Sequence, residues 1–340
     1  MPALPRLDLE HALSAAEDDF RALRGAHLVI TGAAGAVGSW LVESAMQANA
    51  RLALSLVITA VERRAGSFAA RHPHLAVGPG LRVVTGDVRT VTLADGPTHL
   101  VHAASAVSPR EHMADPDNVI DIIERGTARM LSLAAEARVA RFLHISSGSV
   151  YDRSNGSGAP IAESHATLIE GATSAQRFGA AKRRAEASVE RAAIPATIAR
   201  LFTLVGPRIP LDGQFAVGQF LADALAGRAV RVSGDGTPVR TYLHMADLMV
   251  WCWAALVRGG AGRVYNVGAN EPHTIGAVAE AVAGLPQPRC AVTIATAPQP
   301  DAKPDWYVPD TARARAELAC DTRIGFDDAL ARTWSWLAPA

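Results

Sequence analysis

The run Thr31-Gly32-Ala33-Ala34-Gly35-Ala36-Val37-Gly38 follows a short apolar stretch, His27 to Ile30, and precedes residues with helical periodicity. Glycines at this spacing suit a pyrophosphate. Gly32 allows a tight turn, Gly35 lets the backbone close on phosphate, and Gly38 lets a helix lie tight against a sheet. The first N–H groups of that helix, from Ala36 and Val37 onward, then face the anion. The chemistry implied is the binding of a dinucleotide cofactor.

Charged residues extend the same pocket. The second apolar run ends Glu62-Arg63-Arg64. There Glu62 is positioned to accept hydrogen bonds from the adenosine ribose, which favours NAD, while Arg63 or Arg64 would pair with the 2′-phosphate of NADP. Asp87, in Gly86-Asp87-Val88, either reaches an adenine amine or caps a turn. Arg208, after Gly206-Pro207, is expected at the mouth of a cleft, meeting phosphate or solvent. Arg240 has the planar fork that suits a diphosphate, against an ion pair with Asp247 as the competing reading. Trp306 and Tyr307 either shape a nucleotide-base pocket or pack beneath a helix.

These segments, together with His102-Ala103-Ala104-Ser105, Ser146 to Tyr151 and Phe178 to Lys182, resemble the extended short-chain dehydrogenase/reductase family, the NAD-dependent epimerases and dehydratases of nucleotide sugars. The resemblance runs from about Ala26 to the C-terminus. It implies that Val88, Ala103 and Ala104 lie beside the cofactor and that Ser105, Ser147, Arg208 and Arg240 meet a nucleotide-sugar substrate. It also implies that Ser147, four residues before Tyr151, hydrogen-bonds the reacting sugar oxygen, and that Lys182 anchors the nicotinamide ribose.

One departure stands out. The family pairs a Tyr with a Lys four residues on, so that the two share a helix face; here the Lys is Lys182 and the Tyr is Phe178. A benzyl ring carries no proton, and hydride transfer to or from a carbinol needs one moved. Three readings remain open: another group takes the proton (Tyr151, His165 or a Lys182-bound water), the chain binds cofactor without redox turnover as a sensor or pseudoenzyme, or Phe178 is an inactivating substitution. Gly148 and Ser149 also stand where the resemblance would put the carboxylates of dehydratases and decarboxylases. That favours an epimerase or ketoreductase over a dehydratase, although Glu163 or Glu170 could supply a carboxylate from another loop.

The elements that position these groups read as strands alternating with helices: strands near 54–61, 82–85, 99–103 and 141–146, helices near 37–49, 117–136 and 174–193, then a strand over 196–205 broken by Gly206-Pro207. This is the signature of an α/β fold, a Rossmann-type doubly wound parallel sheet with a smaller C-terminal α/β substrate lobe. The division expected is a helical lead-in at 1–24, a cofactor-binding domain at 25–206 plus about 246–270, and a substrate lobe at 207–245 plus 271–340. By the same resemblance, the helices 117–136 and 174–193 suggest a homodimer.

Composition sets the outer bounds. With 33 basic and 33 acidic residues among 340 and no charge block, a nucleic-acid partner is not expected. Three scattered cysteines offer neither a zinc spacing nor a disulfide framework. His102, His144 and His244 lack a second ligand at metal spacing and read as core histidines. The acidic N-terminus and the lack of a long apolar run point to a cytoplasmic protein without a membrane partner.

Overall fold

The computed structural model describes residues 1–340 apart from 77, 106–113, 154–157, 214, 300–302 and 339–340. Strands His27–Thr31 (β1), Val57–Glu62 (β2), Leu81–Thr85 (β3), His99–His102 (β4), Arg141–Ser147 (β5) and Ala196–Leu201 (β6), with the edge strand Val264–Val267, form one sheet. From that edge the order is β6, β5, β4, β1, β2, β3, and every pairing is parallel.

Alternation along β1 shows why the strands read as continuous apolar runs. Leu28 and Ile30 enter one core cluster with Trp40, Leu41 and Ala45, whereas Val29 enters another with Leu100, Met130 and Phe142. Helices cover both faces, so neither face needs polar residues. The helix Ala36–Leu52 packs on the first side, and Pro116–Glu136 lies against Ser174–Arg191 on the second. Strand order reverses between β1 and β4, which opens a crevice beyond their carboxyl ends.

The helix Met245–Val257 buries twelve of its residues, including Trp251 and Trp253. It is apolar all round because it lies between the sheet and the N-terminal helices Arg6–Ala15 and Glu17–Ala22. Phe20 packs on Trp253 with ring centroids 5.2 Å apart. The helical lead-in is thus a layer of the core.

Two readings of the chain need correction. The run 196–205 is not one strand: β6 stops at Leu201, and Leu204–Val205 pairs in parallel with Leu243–His244 in a separate sheet. Both halves are largely buried, so composition does not mark the break. The second correction concerns the substrate lobe. Val230–Val232 pairs with Val292–Ile294, and Val239–Arg240 lies between His273–Thr274 and Trp306–Tyr307. The helix Ala312–Leu318 then returns to pack on Val264–Val267, and Phe326–Leu337 packs on Leu243–His244. The last thirty or so residues therefore rejoin the main core through Ala314, Leu318, Phe326 and Leu330. Among the described residues no helix is long and apolar enough to cross a membrane.

Candidate active site

At the crevice, Gly32 has φ +68°, and a Cβ there would lie 2.8 Å from the Ala103 carbonyl and from Ala104 N. A Cβ on Gly38 would overlap the Gly32 carbonyl. Gly35 caps the helix Ala36–Leu52 in an extended conformation without a side-chain partner, so the first-turn N–H groups of Ala36, Val37 and Gly38 remain available. Thr31 ties the two crevice strands: its hydroxyl meets His102 Nδ1 at 2.8 Å and accepts from Ala104 N at 3.1 Å. Nearby, the Ser105 hydroxyl is buried with no hydrogen-bond partner among the described residues. A backbone cradle that only glycine fits, beside an unsatisfied polar atom, matches the needs of a dinucleotide.

One strand over, β5 ends at Ser147 and turns through Gly148–Val150. Ser147 Oγ lies 2.6 Å from Ser149 Oγ and accepts from Ser149 N. The helix Ser174–Arg191 presses on this turn, since a Cβ at Gly179 would strike the Ser149 carbonyl. That contact sets Lys182, which is buried and donates from Nζ to the Ile145 carbonyl at 3.1 Å. Burial pulls the Lys182 ammonium down to about 8, with Glu186 drawing it back up. Its Nζ lies 5.9 Å from the Phe178 ring centre, so the two share a helix face.

On the facing lobe, Arg240 donates to Asp305 Oδ2 at 2.6 Å, and Arg153 donates to the same carboxylate at 2.7 and 2.9 Å. Both guanidinium groups lie over the Tyr307 ring, at 5.6 and 4.8 Å. The competing reading of Arg240, a pair with Asp247, does not hold: Asp247 meets His11 and the amides of Arg323 and Ile324. The same lobe holds a cavity of about 290 Å³, floored by Phe220, Val232, Pro238 and Ile275, with Arg231 at its wall. Sequence reasoning missed this cavity and offered Trp306 and Tyr307 as either the base pocket or packing beneath a helix.

A profile of the "NAD dependent epimerase/dehydratase family" matches residues 28–268. The chain belongs to this family. It is 27% identical over 317 residues to UDP-glucuronic acid decarboxylase 1 of Arabidopsis thaliana, covering 90% of this chain and 68% of that protein. It is 26% identical over 322 residues to dTDP-glucose 4,6-dehydratase of Streptomyces niveus, covering 91% and 92%. Among solved structures it is similar to an epimerase of Methanothermobacter thermautotrophicus, with a TM-score of 0.81, 22% identity and 96% of each chain covered. It is also similar to UDP-glucuronic acid 4-epimerase of Bacillus cereus, solved as a tyrosine-to-phenylalanine mutant with NAD and a fluorinated nucleotide sugar (TM-score 0.77, 19% identity, 92% and 98% covered). The family is NAD-dependent, and the two curated relatives named here are enzymes of nucleotide-sugar modification.

Several site residues expected for such an enzyme have other work here. Glu62 accepts from Gly66 N, Ser67 Oγ, Phe68 N and the Thr85 hydroxyl, which fills the four lone-pair positions of its carboxylate. Burial alone would raise its pKa, but these donors outweigh it and hold it low. A ribose hydroxyl would have to displace one of them. Asp87 is gripped by Arg89 through two side-chain nitrogens and the backbone N–H, so it forms the turn cap and not a free adenine acceptor. The Arg63 charge adds to the field that keeps Asp87 ionised. Val88 is buried with Val119, Ile122 and Ala181.

Arg208 is the clearest correction. It is not at the mouth of the cleft but buried, donating to Glu43 Oε2 at 2.5 Å and to the Pro2 carbonyl at 3.1 Å. Glu43 on the helix after the glycine turn captures it, and no sequence signal linked residues so far apart. Tyr151 is likewise removed from proton transfer. Its hydroxyl donates to Asn266 Oδ1 at 2.6 Å and accepts from Arg200 at 2.9 Å, and burial pushes it up to about 12. His165 binds the Asp152 carbonyl at 2.8 Å and packs edge-on to Tyr151. Glu163 accepts from Asn266 N at 2.9 Å, which gives it a structural task. Of the core histidines, His102 is satisfied on both nitrogens, whereas both ring nitrogens of His144 are buried without a partner among the described residues.

Proposed function

We propose that this family member is an NAD-dependent epimerase or ketoreductase acting on a nucleotide-diphosphate sugar. The observation that carries the reading is the alignment of three features along adjacent strand ends: the Gly32 cradle after β1, Ala103 and Ala104 after β4, and Ser147 with Lys182 at β5. NAD held by the glycine turn supplies a hydride acceptor and donor. Ser147 offers a hydroxyl to the reacting sugar oxygen, and Lys182 holds the nicotinamide ribose. Arg153 and Arg240 supply charge for a diphosphate, and the cavity floored by Phe220 and Val232 has the size and apolar lining for a base. The absence of a carboxylate at Gly148 and Ser149 weighs against a dehydratase.

A second reading has its own observation, Phe178. A chain that kept the cradle but lost the proton carrier would bind NAD without turnover. Chromatography of the sugar products after incubating the protein and NAD with UDP-glucose, UDP-glucuronic acid and dTDP-glucose, with absorbance at 340 nm for any net nicotinamide reduction, decides between them, since an epimerase returns its hydride. A changed sugar or net nicotinamide reduction with the wild type supports the enzyme. NAD binding with neither for any sugar, but turnover in Phe178→Tyr, supports the sensor or inactivated form.

We also propose a homodimer through the helices Pro116–Glu136 and Ser174–Arg191. They lie side by side, tied by Arg177 to Asp117 and Arg184 to Glu124. Light scattering that gives the mass of one chain would overturn this.

A further inference from the structure

Tyr307 lies on the second lobe, yet its phenol reaches the first. The ring stacks on Phe202 with centroids 4.5 Å apart, and its hydroxyl lies against Gly148, the residue that follows Ser147. Gly148 makes this approach possible, because a Cβ there would collide with the phenolic oxygen and come within 3.0 Å of the Phe202 ring. The phenol therefore stands beside the residue whose hydroxyl the proposed function puts on the reacting sugar oxygen. Tyr307 is half-buried, so a ligand entering between the lobes can touch it.

We infer that Tyr307 is the acid/base residue of this site, carrying the proton that Phe178 cannot. The inference rests on the nucleotide-sugar reading above. In the oxidative direction the carbinol C–H bond breaks and its electron pair leaves as hydride for the nicotinamide. The O–H proton passes to the Tyr307 phenolate oxygen, and the C–O bond becomes a carbonyl. In the reductive direction the carbonyl carbon takes hydride, and its oxygen takes the phenolic proton. An epimerase runs both halves and ends with the proton where it began. A ketoreductase runs the second alone and recovers its proton from water.

The surroundings of Tyr307 fit that task. Arg153 and Arg240 face its ring, both neutralised in part by Asp305, and Tyr151 lies behind Phe202. Burial pushes the phenol up to about 12, while Arg153, the nearby Ser147 hydroxyl and Arg240 pull it back. Before ligands bind, Tyr307 is thus a proton donor, as reduction requires. The positive charge of a bound nicotinamide favours the phenolate, as oxidation requires.

The test uses wild type, Tyr307→Phe and the double variant Tyr307→Phe/Phe178→Tyr, each with NAD. Wild-type kcat with the best of the three sugars above should fall about 100-fold or more in Tyr307→Phe, with KM and the Kd of UDP within about threefold, and recover in the double variant. The second readout needs no turnover. Ultraviolet difference titration at 295 nm (tyrosinate absorbance) should show one phenol ionising at lower pH when NAD is added, and Tyr307→Phe should lack that change. Loss of KM with kcat intact, or wild-type turnover that survives Tyr307→Phe, overturns the inference and leaves the enzyme reading standing. A wild type that transfers hydride to no sugar overturns both.

Discussion

Arg200 on β6 grips Glu186 on the neighbouring helix with two parallel bonds, Nε to Oε1 at 3.0 Å and Nη2 to Oε2 at 2.7 Å. Both side chains are buried, and the pair is extended by Ser146, which donates to Glu186, and by the Tyr151 hydroxyl and Asn266. This network fixes the helix that carries Lys182 to the strands that carry Ser147. Burial disfavours the Arg200 charge, but Glu186 more than compensates and holds it protonated.

Removing one partner leaves the other charge stranded in the interior, where such losses are large. Glu186→Gln is therefore expected to destabilise the fold by roughly 3 kcal/mol, read as a lower urea midpoint with an unchanged slope. An unchanged midpoint would mean that the pair is open to water. Tyr151→Phe removes only the outer hydroxyl, leaves the fork intact, and should cost about 1 kcal/mol with little effect on turnover.

Lys182 carries a conflict between stability and function. Its folded pKa of about 8 lies below the ordinary lysine value of 10.5, because burial penalises the ammonium more than Glu186 repays it. Between those values the unfolded chain holds one more proton than the folded one, so stability rises with pH across that window. Below about 8 the penalty is present in full, roughly 3 kcal/mol for a shift of this size. Lys182→Met should accordingly melt higher than wild type at pH 7 and lose the rise above pH 8. The same variant should bind NAD about tenfold or more weakly, since the ribose anchor is gone. A lower melting point for Lys182→Met at pH 7 would show that the ammonium is well paired where it lies.

What the sequence disclosed and what it hid divide along the range of the interactions. The glycine turn and the Phe178/Lys182 spacing are local, visible in runs of ten residues or fewer, and the βα alternation follows from periodicity within each segment. The return of 312–337 to the main core depends on apolar residues whose partners lie far away in the chain. The occupation of Arg208 by Glu43, of Glu62 by its own following turn, and of Tyr151 by Asn266 is equally invisible to periodicity. Each of these is a charged or phenolic group of the right type at the right place, consumed by a neighbour that only folding reveals. Tyr307 is the converse: its position in a two-residue strand on the other lobe gave no hint that its hydroxyl comes up against Gly148, next to Ser147.

The glycines themselves can be ranked. Gly38→Ala places a methyl against the Gly32 carbonyl, and Gly32→Ala forces a positive φ as well as a clash 2.8 Å from the β4 segment. Gly35 has φ −82° and a nearest neighbour at 3.2 Å, so a methyl there needs only a small adjustment. Gly32→Ala and Gly38→Ala should each abolish measurable NAD binding by calorimetry, with a loss of thermal stability, while Gly35→Ala retains binding within about tenfold. Equal losses at all three would mean that the phosphate approach, and not the packing of helix on strand, governs the turn.

Arg208 and Arg240 were candidates for one task, and the structure separates them. Arg208 is fully enclosed, with Glu43 and the Pro2 carbonyl as acceptors, and burial lowers its pKa despite Glu43. Replacing it strands the Glu43 carboxylate, which keeps Leu4 N and His74 as its remaining donors. Arg208→Met should thus lower the melting temperature by several degrees, since removing one partner of a buried pair costs about 3 kcal/mol. Its KM for the nucleotide sugar should stay within about twofold of wild type. Arg240 is partly exposed beside Asp305 on the face of the second lobe, where its loss costs little stability. Arg240→Ala should raise KM, and the Kd of UDP, about tenfold or more with the melting temperature nearly unchanged. The reverse pattern, with Arg208→Met weakening UDP binding in a stable protein, would return Arg208 to the substrate cleft and require the N-terminal segment at Pro2 to move aside on binding.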